Sequence, residues 1–159
     1  MVTMSNESTS TADREIVISR LINAPRELVY EAWTDPRHMV HWYGPNGFTS
    51  TITECDVRVG GVMRMMMHGP DGTDYPNKMT YLEVVPPERI VCEYGAGDEP
   101  DPGDFLQTVT FEDAGGKTQV TMRGLFASAA ARDMVVEKYG AIEGGNQTLA
   151  RLDEYVSKL

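Results

Sequence analysis

Six strand-like runs follow one another closely in the middle of the chain. No other feature of the sequence restricts the possible folds as strongly as this succession does. The runs are FTSTITECDV from residue 48, VMRMMMH from 62, KMTYLEVV from 78, RIVCEY from 89, FLQTVTFED from 105 and KTQVTMRG from 117. Glycine- and proline-rich turns separate them, such as Gly60-Gly61 and Pro70-Asp71-Gly72. Parallel neighbours need crossovers of about a dozen residues or more, so these short connections predict an antiparallel sheet.

The segment before these runs predicts one further strand and two short helices. Residues 14–21, REIVISRL, alternate as a strand with one better-buried face does. Residues 25–33, PRELVYEAW, have apolar positions at helical spacing, with Pro25 suited to the first turn. Asp35 is the expected cap of a second helix over 36–41, and Trp42 leads into a Gly/Pro turn.

The end of the chain returns to a helical pattern. It begins at Ser128, and we expect an interruption at Gly144-Gly145. In the last fourteen residues an apolar stripe is formed by Leu149, Leu152, Val156 and Leu159. This piece would run about 21 Å, far enough to lie across a sheet. The order of elements predicts an α+β fold with seven antiparallel strands and a long C-terminal helix.

Charge and composition exclude several classes of protein. The chain has 159 residues, of which 41% are hydrophobic, so one domain with its own core is expected. Its 14 basic and 24 acidic residues give a formal charge of −10. Such a field repels phosphate backbones and anionic lipids, and the basic residues are scattered singly. We therefore expect no nucleic-acid partner.

The chain also lacks sequence signals for export or membrane insertion. No apolar stretch approaches the roughly 20 residues of a membrane span, and no basic and then apolar leader begins the sequence. A cytoplasmic protein is expected. In such a protein small buried residues are a better interpretation of Cys55 and Cys92 than a disulfide pair, and the sequence leaves pairing open. The polar residues 1–12 predict a flexible tail before a single domain at 13–159.

A series of short motifs along the chain resembles one known family. They are Ala24-Pro25 with the helix that ends in Trp33, Thr34-Asp35-Pro36, Trp42 with Gly44-Pro45, the run 56–61 (DVRVGG), Pro70-Asp71-Gly72, Tyr81-Leu82-Glu83, the run 86–90 (PPERI), Thr118 and the glycine-interrupted last helix. In this order they are similar to the START-like SRPBCC superfamily, and within it to bacterial single-domain relatives of the activator of the ninety-kilodalton heat-shock protein's ATPase. The resemblance implies a helix-grip fold, in which a curved sheet wraps around the C-terminal helix and leaves a cavity between them.

Candidate ligand-binding residues follow from the side chains expected on the inner faces. The strand 62–68 places Met63, Met65 and Met67 on one face and Arg64 and His68 on the other. Methionines suit an adaptable apolar cavity and also an ordinary core. The remaining candidates are aromatic side chains and helix positions, namely Trp33, Trp42, Tyr81, Tyr94, Phe105, Leu149 and Leu152. Trp42 is the candidate for the pocket mouth, because relatives of this fold open there.

Polar side chains give weaker candidates for chemistry. Glu83 is expected on the same strand face as Tyr81, where a buried carboxylate could act as an acid or base, or it faces solvent or pairs with Arg64 or Arg89. His38 and His41 lack a third metal ligand at helical spacing, and His68 is expected as an exposed strand-end residue. The acidic loop 97–104 does not have calcium-loop spacing, and nucleophile and nucleotide motifs are missing. We expect no metal or cofactor.

Three hypotheses about function follow. The first is a carrier or sensor that binds a small apolar or aromatic molecule between the sheet and the last helix. The second is a cyclase- or aromatase-like enzyme in which Glu83 or Tyr81 moves a proton in the same pocket. The third, which rests on the resemblance, is a protein that contacts a chaperone through its acidic surface. The sequence leaves open whether the chain forms a homodimer.

Overall fold

Seven antiparallel strands form one sheet in the computed structural model, which describes residues 11–159. The strands are β1 Glu15–Ile22, β2 Thr49–Cys55, β3 Val62–His68, β4 Asp74–Val85, β5 Arg89–Gly95, β6 Phe105–Ala114 and β7 Lys117–Phe126. Their spatial order is β1-β7-β6-β5-β4-β3-β2, so each strand from β2 to β7 lies beside its sequence neighbour and β1 pairs with β7. The predicted seven-stranded antiparallel sheet is confirmed.

Four helices accompany the sheet. They are α1 Arg26–Thr34, α2 Pro36–Met39, α3 Ala129–Tyr139 and α4 Ala141–Val156. The two short helices between β1 and β2 are confirmed, and the Asp35 carboxylate caps α2 by accepting the Arg37 backbone N–H at 2.9 Å. Within residues 11–159, no helix combines the length and the apolar character needed to cross a bilayer.

The C-terminal helical region breaks at Gly140, so the predicted break at Gly144-Gly145 is wrong. Gly140 has φ 60° and ψ 44°, the left-handed conformation that glycine adopts without a steric penalty. The glycine pair lies inside α4, where a Cβ atom at Gly144 would lie 3.3 Å from the Pro45 side chain and one at Gly145 would collide with Ile18. These two glycines therefore let α4 approach β1 and the turn after α2.

The core lies between the inner face of the sheet and the helices α1 and α4. Met63, Met65 and Met67 alternate with less buried neighbours along β3, as predicted. On α4 the predicted stripe is confirmed for Leu149, Leu152 and Val156, which are buried. Leu159 is 59% exposed, because the helix ends at Val156 and does not carry the stripe to the last residue.

The predicted tail falls almost entirely on residues 1–10, which lie outside the described part of the chain. Its last two residues are described: Thr11 precedes a single 3₁₀ turn, and Ala12 begins that turn, which ends at Arg14. The Arg14 guanidinium donates to the Phe126 carbonyl at 2.8 Å, which fastens the turn to the end of β7. Ordered backbone thus begins before β1.

Candidate functional site

A row of aromatic and methionine side chains crosses the inner face of the sheet. The strand register aligns Phe126 of β7, Phe105 of β6, Tyr94 of β5, Met79 of β4 and Met63 of β3. The Tyr94 and Phe105 rings stack with centroids 4.9 Å apart and 14° between their planes, and Phe105 lies 4.8 Å from Phe126. We call this set the inner row. It gives the face a continuous apolar wall across five strands.

A second aromatic group reaches the inner row from α1 and from the turn after α2. Trp33 of α1 has its ring centroid 4.9 Å from that of Trp42 and 6.3 Å from that of Tyr43. The Tyr43 hydroxyl donates to the Tyr94 hydroxyl at 3.1 Å, which joins the two groups. Burial raises the pKa of both tyrosines, so both phenols stay neutral. This hydroxyl pair is a polar point within a largely apolar surface.

Methionines form the part of the wall nearest β2. Met63, Met65 and Met67 are 0%, 3% and 9% exposed. The Tyr81 hydroxyl lies 4.0 Å from the Met63 sulfur, a weak contact. Unbranched thioether side chains change rotamer readily, so this part of the wall can adapt to differently shaped neighbours.

The ten predicted ligand-binding residues all lie on the core side of the molecule. Eight are at most 9% exposed, and Tyr94 and Phe105 are partly buried. Trp42 is fully buried, and its indole N–H donates to the Ala32 carbonyl at 3.1 Å. The structure therefore places Trp42 in the core under α1 rather than at a rim.

Helix α3 covers one end of this inner face. It packs against β1, β7 and α4, and the Arg132 side chain donates to the Glu15 carbonyl at 3.3 Å. Val135 lies beside Gly103 in the β5–β6 connection. The Tyr139 and Tyr75 rings pack edge-on with centroids 6.3 Å apart. No residue of α3 is fully buried, in contrast to α4. Among these two C-terminal helices, α3 is the less firmly held.

Open space is found at two places on the molecule. A cleft of about 510 Å³ lies beneath the β5–β6 connection, and it is lined by outer-face residues such as Lys78 and Thr80 and also by Tyr94, Phe105 and Phe126 of the inner row. Asp98 of that connection accepts from Arg64 at 2.7 Å and from Lys78 at 2.9 Å. The hydrogen bonds from Arg64 and then Lys78 lower the pKa of Asp98 to about 2. A second cleft, of about 450 Å³, lies at the start of α1. Both clefts lie away from the α4 side of the inner face.

Glu83 lies on the outer face, so its predicted position on the same face as Tyr81 is wrong. A β-bulge between Tyr81 and Glu83 inserts one residue, so that Tyr81 pairs with Cys92 and Glu83 pairs with Val91. Neighbouring residues of β5 point to opposite faces, and the bulge therefore reverses Glu83. Its carboxylate accepts from the Arg89 guanidinium, one of the alternatives left open by the sequence.

The histidines make structural contacts. His38 has Nδ1 2.7 Å from the Tyr155 hydroxyl and Nε2 3.2 Å from a Glu31 carboxylate oxygen. His41 stacks on the Tyr155 ring with centroids 5.6 Å apart. These contacts tie α2 to the last turn of α4. Within the described residues, His, Cys, Asp and Glu side chains form no group of three that could hold a metal ion.

His68 lies at the predicted strand end but is partly buried, and of the two cysteines only Cys92 is buried as predicted. At the end of β3, the His68 Nε2 is 2.9 Å from the Thr51 hydroxyl, and its Nδ1 is 2.8 Å from a carboxylate oxygen of Asp74. Both cysteines are free, as predicted, although Cys55 is only partly buried. Burial raises the pKa of the Cys92 thiol to about 12, so it stays protonated and unreactive near neutral pH.

Sequence reasoning missed Tyr43, Met79 and Phe126. Strand alternation could have found two of them, because Met79 is two residues before Tyr81 and Phe126 ends the strand that faces Phe105. Tyr43 belongs to a turn with no periodicity. Only the folded chain brings its hydroxyl to Tyr94.

Comparison with known protein families shows to which family the chain belongs. The family described as "Activator of Hsp90 ATPase homolog 1-like protein" matches residues 23–157, which is most of the chain. The chain belongs to this family. The SRPBCC resemblance derived from the motifs is thereby confirmed. No curated protein matches the chain in sequence.

Solved structures of bacterial proteins share the fold. The protein Ms6760 from Mycobacterium smegmatis is 26% identical with a TM-score of 0.82, and the match covers 91% of each chain. A protein from Arthrobacter aurescens is 24% identical with a TM-score of 0.85, covering 95% of this chain and 90% of the other. The AHSA1-like protein from Aeromonas hydrophila is 21% identical with a TM-score of 0.70, covering 91% and 92%. The helix-grip architecture is therefore that of the family.

Proposed function

We propose that the chain binds a small apolar or aromatic molecule against the inner row. The observation that carries the proposal is the continuous wall of aromatic and methionine side chains from Phe126 to Met63, with the Tyr43–Tyr94 hydroxyl pair within it. Ligand sites in proteins are mainly apolar surfaces with a few placed polar groups, and this wall has that composition.

Binding on this face requires local opening, because most of the wall is covered in the structure. Two features favour such opening at the α3 end. Helix α3 buries no residue completely, and the single residue Gly140 joins it to α4. Phe105 and Phe126 already line the open cleft of about 510 Å³. Displacement of α3 would expose more of the core face beside β1 and β7, against which this helix packs. The methionines of β3 would then adjust to the ligand.

The carrier function is favoured over the cyclase-like alternative by the position of Glu83. That alternative needs a proton donor or acceptor in the pocket, and the Glu83 carboxylate is held by Arg89 on the outer face. Tyr81 faces inward, but burial raises its pKa, so it is a poor general base. The positions of Glu83 and Tyr81 therefore favour an uncharged binding surface over a catalytic pocket.

The proposal is tested with a neutral solvatochromic probe, Nile red, added to the purified protein. The chain has two tryptophans, Trp33 and Trp42, and both lie in the aromatic group next to the inner row. We expect saturable probe emission together with quenching of tryptophan fluorescence. Competition by unlabelled aromatic compounds would then rank ligands.

Adjacent methionines of β3 provide a matched pair of variants. Met65 is 3% exposed on the inner face, whereas Met66 lies on the opposite face. We expect Met65→Gln to weaken probe binding by about tenfold, because it adds an amide without a partner to the wall. Met66→Gln should bind as the wild type does. Absence of saturable binding, or equal binding by wild type and both variants, would refute the inner-face site.

A further inference from the structure

The outer face of the sheet has a row of four side chains that crosses the strands from β4 to β7. The strand register aligns Thr80 of β4, Glu93 of β5, Leu106 of β6 and Leu125 of β7. All four line the open cleft of about 510 Å³, and the threonine and both leucines are partly buried. We call this set the outer row. It gives the cleft a floor in which one carboxylate lies next to two leucines.

The β5–β6 connection forms a wall of this cleft and is fastened to the sheet. Asp98 of the connection accepts hydrogen bonds from Arg64 at 2.7 Å and from Lys78 at 2.9 Å. Because Gly95 has no side chain, the Asp104 carboxylate can lie against the end of β5, where a Cβ atom would be 2.5 Å from its Oδ1. The wall is therefore in place before a ligand arrives, which lowers the entropic cost of binding.

Negative charge exceeds positive charge in this cleft. Its charged lining residues are Arg14, Lys78, Glu93, Asp98, Glu99 and Asp104. Lys78 is paired with Asp98, and Arg14 donates to a backbone carbonyl. Among residues 11–159, Glu93, Glu99 and Asp104 form no ion pair. The formal charge of −10 on the whole chain adds to this field, so the cleft attracts cations.

The shape and the lining of the cleft favour an organic cation over a metal ion. In the part of the chain that the structure describes, no three acidic, histidine or cysteine side chains come together as metal ligands. Clefts of about 300–1,000 Å³ suit small organic molecules, and this cleft of about 510 Å³ is in that range. Leu106 and Leu125 offer apolar contact that a bare ion cannot use.

We propose that this cleft binds a small organic cation with an apolar body, such as an arylalkylamine. The ammonium group donates to the Glu93 carboxylate, a charge-assisted hydrogen bond, while the apolar body lies on Leu106 and Leu125. The cleft is open without any displacement of α3, so this site does not rest on ligand binding at the methionine part of the inner row.

The test uses 1-naphthylmethylamine, its neutral isostere 1-naphthylmethanol and methylamine, which has the charge but no apolar body. Backbone amide NMR spectra of the full chain follow the Gly97 resonance, which Gly97→Ala assigns; this variant is tolerated, since a Cβ atom there meets nothing within 4 Å. We expect the naphthyl amine to shift the Gly97 resonance saturably. The alcohol and methylamine should each bind at least about tenfold more weakly, because each lacks one of the two contacts.

Two exposed glutamates of the outer face provide matched variants. Glu93→Gln should weaken binding of the naphthyl amine by about tenfold, the effect of one hydrogen bond to a charged group. Glu112→Gln removes the same charge from β6 outside this cleft, so it should bind the amine as the wild type does. The proposal is overturned if the amine causes no saturable shift, if the alcohol or methylamine matches it, or if the two variants bind equally.

Nile red separates this site from the inner row. Glu93 lies on the outer face, so Glu93→Gln should bind this neutral probe as the wild type does. An equal loss of amine and Nile red binding in Glu93→Gln would show one shared site and would contradict a separate cleft site. Loss of amine binding alone supports the cleft, whatever the outcome for Nile red in the wild type.

Discussion

Arg151 of α4 holds the turn that follows α2, and its replacement gives a quantitative test of the fold. Its Nη1 donates to the carbonyl oxygens of Gly44 and Pro45, both at 2.8 Å. The neighbouring Gln147 side chain accepts the Asn46 backbone N–H at 3.0 Å. Burial lowers the pKa of Arg151, as expected for a guanidinium taken partly out of water. Helix α4 thus grips three consecutive residues of this turn.

Arg151→Met keeps most of the aliphatic stem and removes both hydrogen bonds. Hydrogen bonds to charged groups contribute about 1.5–3 kcal/mol each, but one nitrogen serves both carbonyls here, so the effects do not add fully. We expect the free energy of unfolding to fall by about 2–3 kcal/mol. Urea denaturation followed by circular dichroism measures this loss. Hydrogen exchange of the Asn46 amide should also accelerate, because its acceptor Gln147 lies one turn away on the loosened helix face.

Arg58→Met is the matched control. Arg58 is 72% exposed and pairs with Asp56, two residues away. Exposed pairs contribute little, so this variant should stay within about 0.5 kcal/mol of the wild type. If Arg151→Met is as stable as Arg58→Met and its Asn46 amide exchanges at the wild-type rate, then α4 does not hold the turn in the way described.

Three further predictions concern stability at acid pH, the backbone at Gly140 and the reactivity of the two thiols. The folded-state pKa of Asp98 is lowered to about 2, so the stability that Asp98 contributes is full above its unfolded pKa of about 4 and is lost as the pH falls through the folded pKa. The difference in unfolding free energy between Asp98→Asn and wild type, measured by urea titration, should therefore shrink on acidification, and a constant difference would contradict this. Gly140→Ala should cost about 1 kcal/mol in the same titrations because φ is 60°, and an unchanged midpoint would show that the joint relaxes. A thiol reagent should label Cys55 first in the native protein and reach buried Cys92 only in denaturant, so rapid labelling of both would argue against the described packing.

The sequence predicted the elements well where one periodicity ran without interruption. Strand β3 was predicted with its observed bounds, because Met63, Met65 and Met67 alternate strictly with their neighbours. Strand β4 begins at Asp74 rather than at residue 78, and Pro76 hid this start, since proline is unusual inside a sheet. The stripe on α4 was equally readable.

The remaining errors have physical causes that no local pattern shows. The bulge before Glu83 moves one residue out of register, and alternation alone carries no sign of it. Gly144-Gly145 resembled a helix break, yet both residues serve the close approach of α4 to its neighbours. The contact of Tyr43 with Tyr94 joins residues 51 positions apart, so it depends on the completed fold.

The pairing of β1 with β7 determines when this protein can finish folding during synthesis. Within the described part of the chain, residues 15–22 pair only with residues 118–125, since β1 lies at an edge of the sheet. Strand β1 leaves the ribosome long before β7 has been synthesised. During this time its exposed apolar residues Val17 and Leu21 can make intermolecular contacts that lead to aggregation. The meander from β2 to β6 can pair as it emerges. Closure of the sheet must wait until residues 117–126 of β7 have been translated.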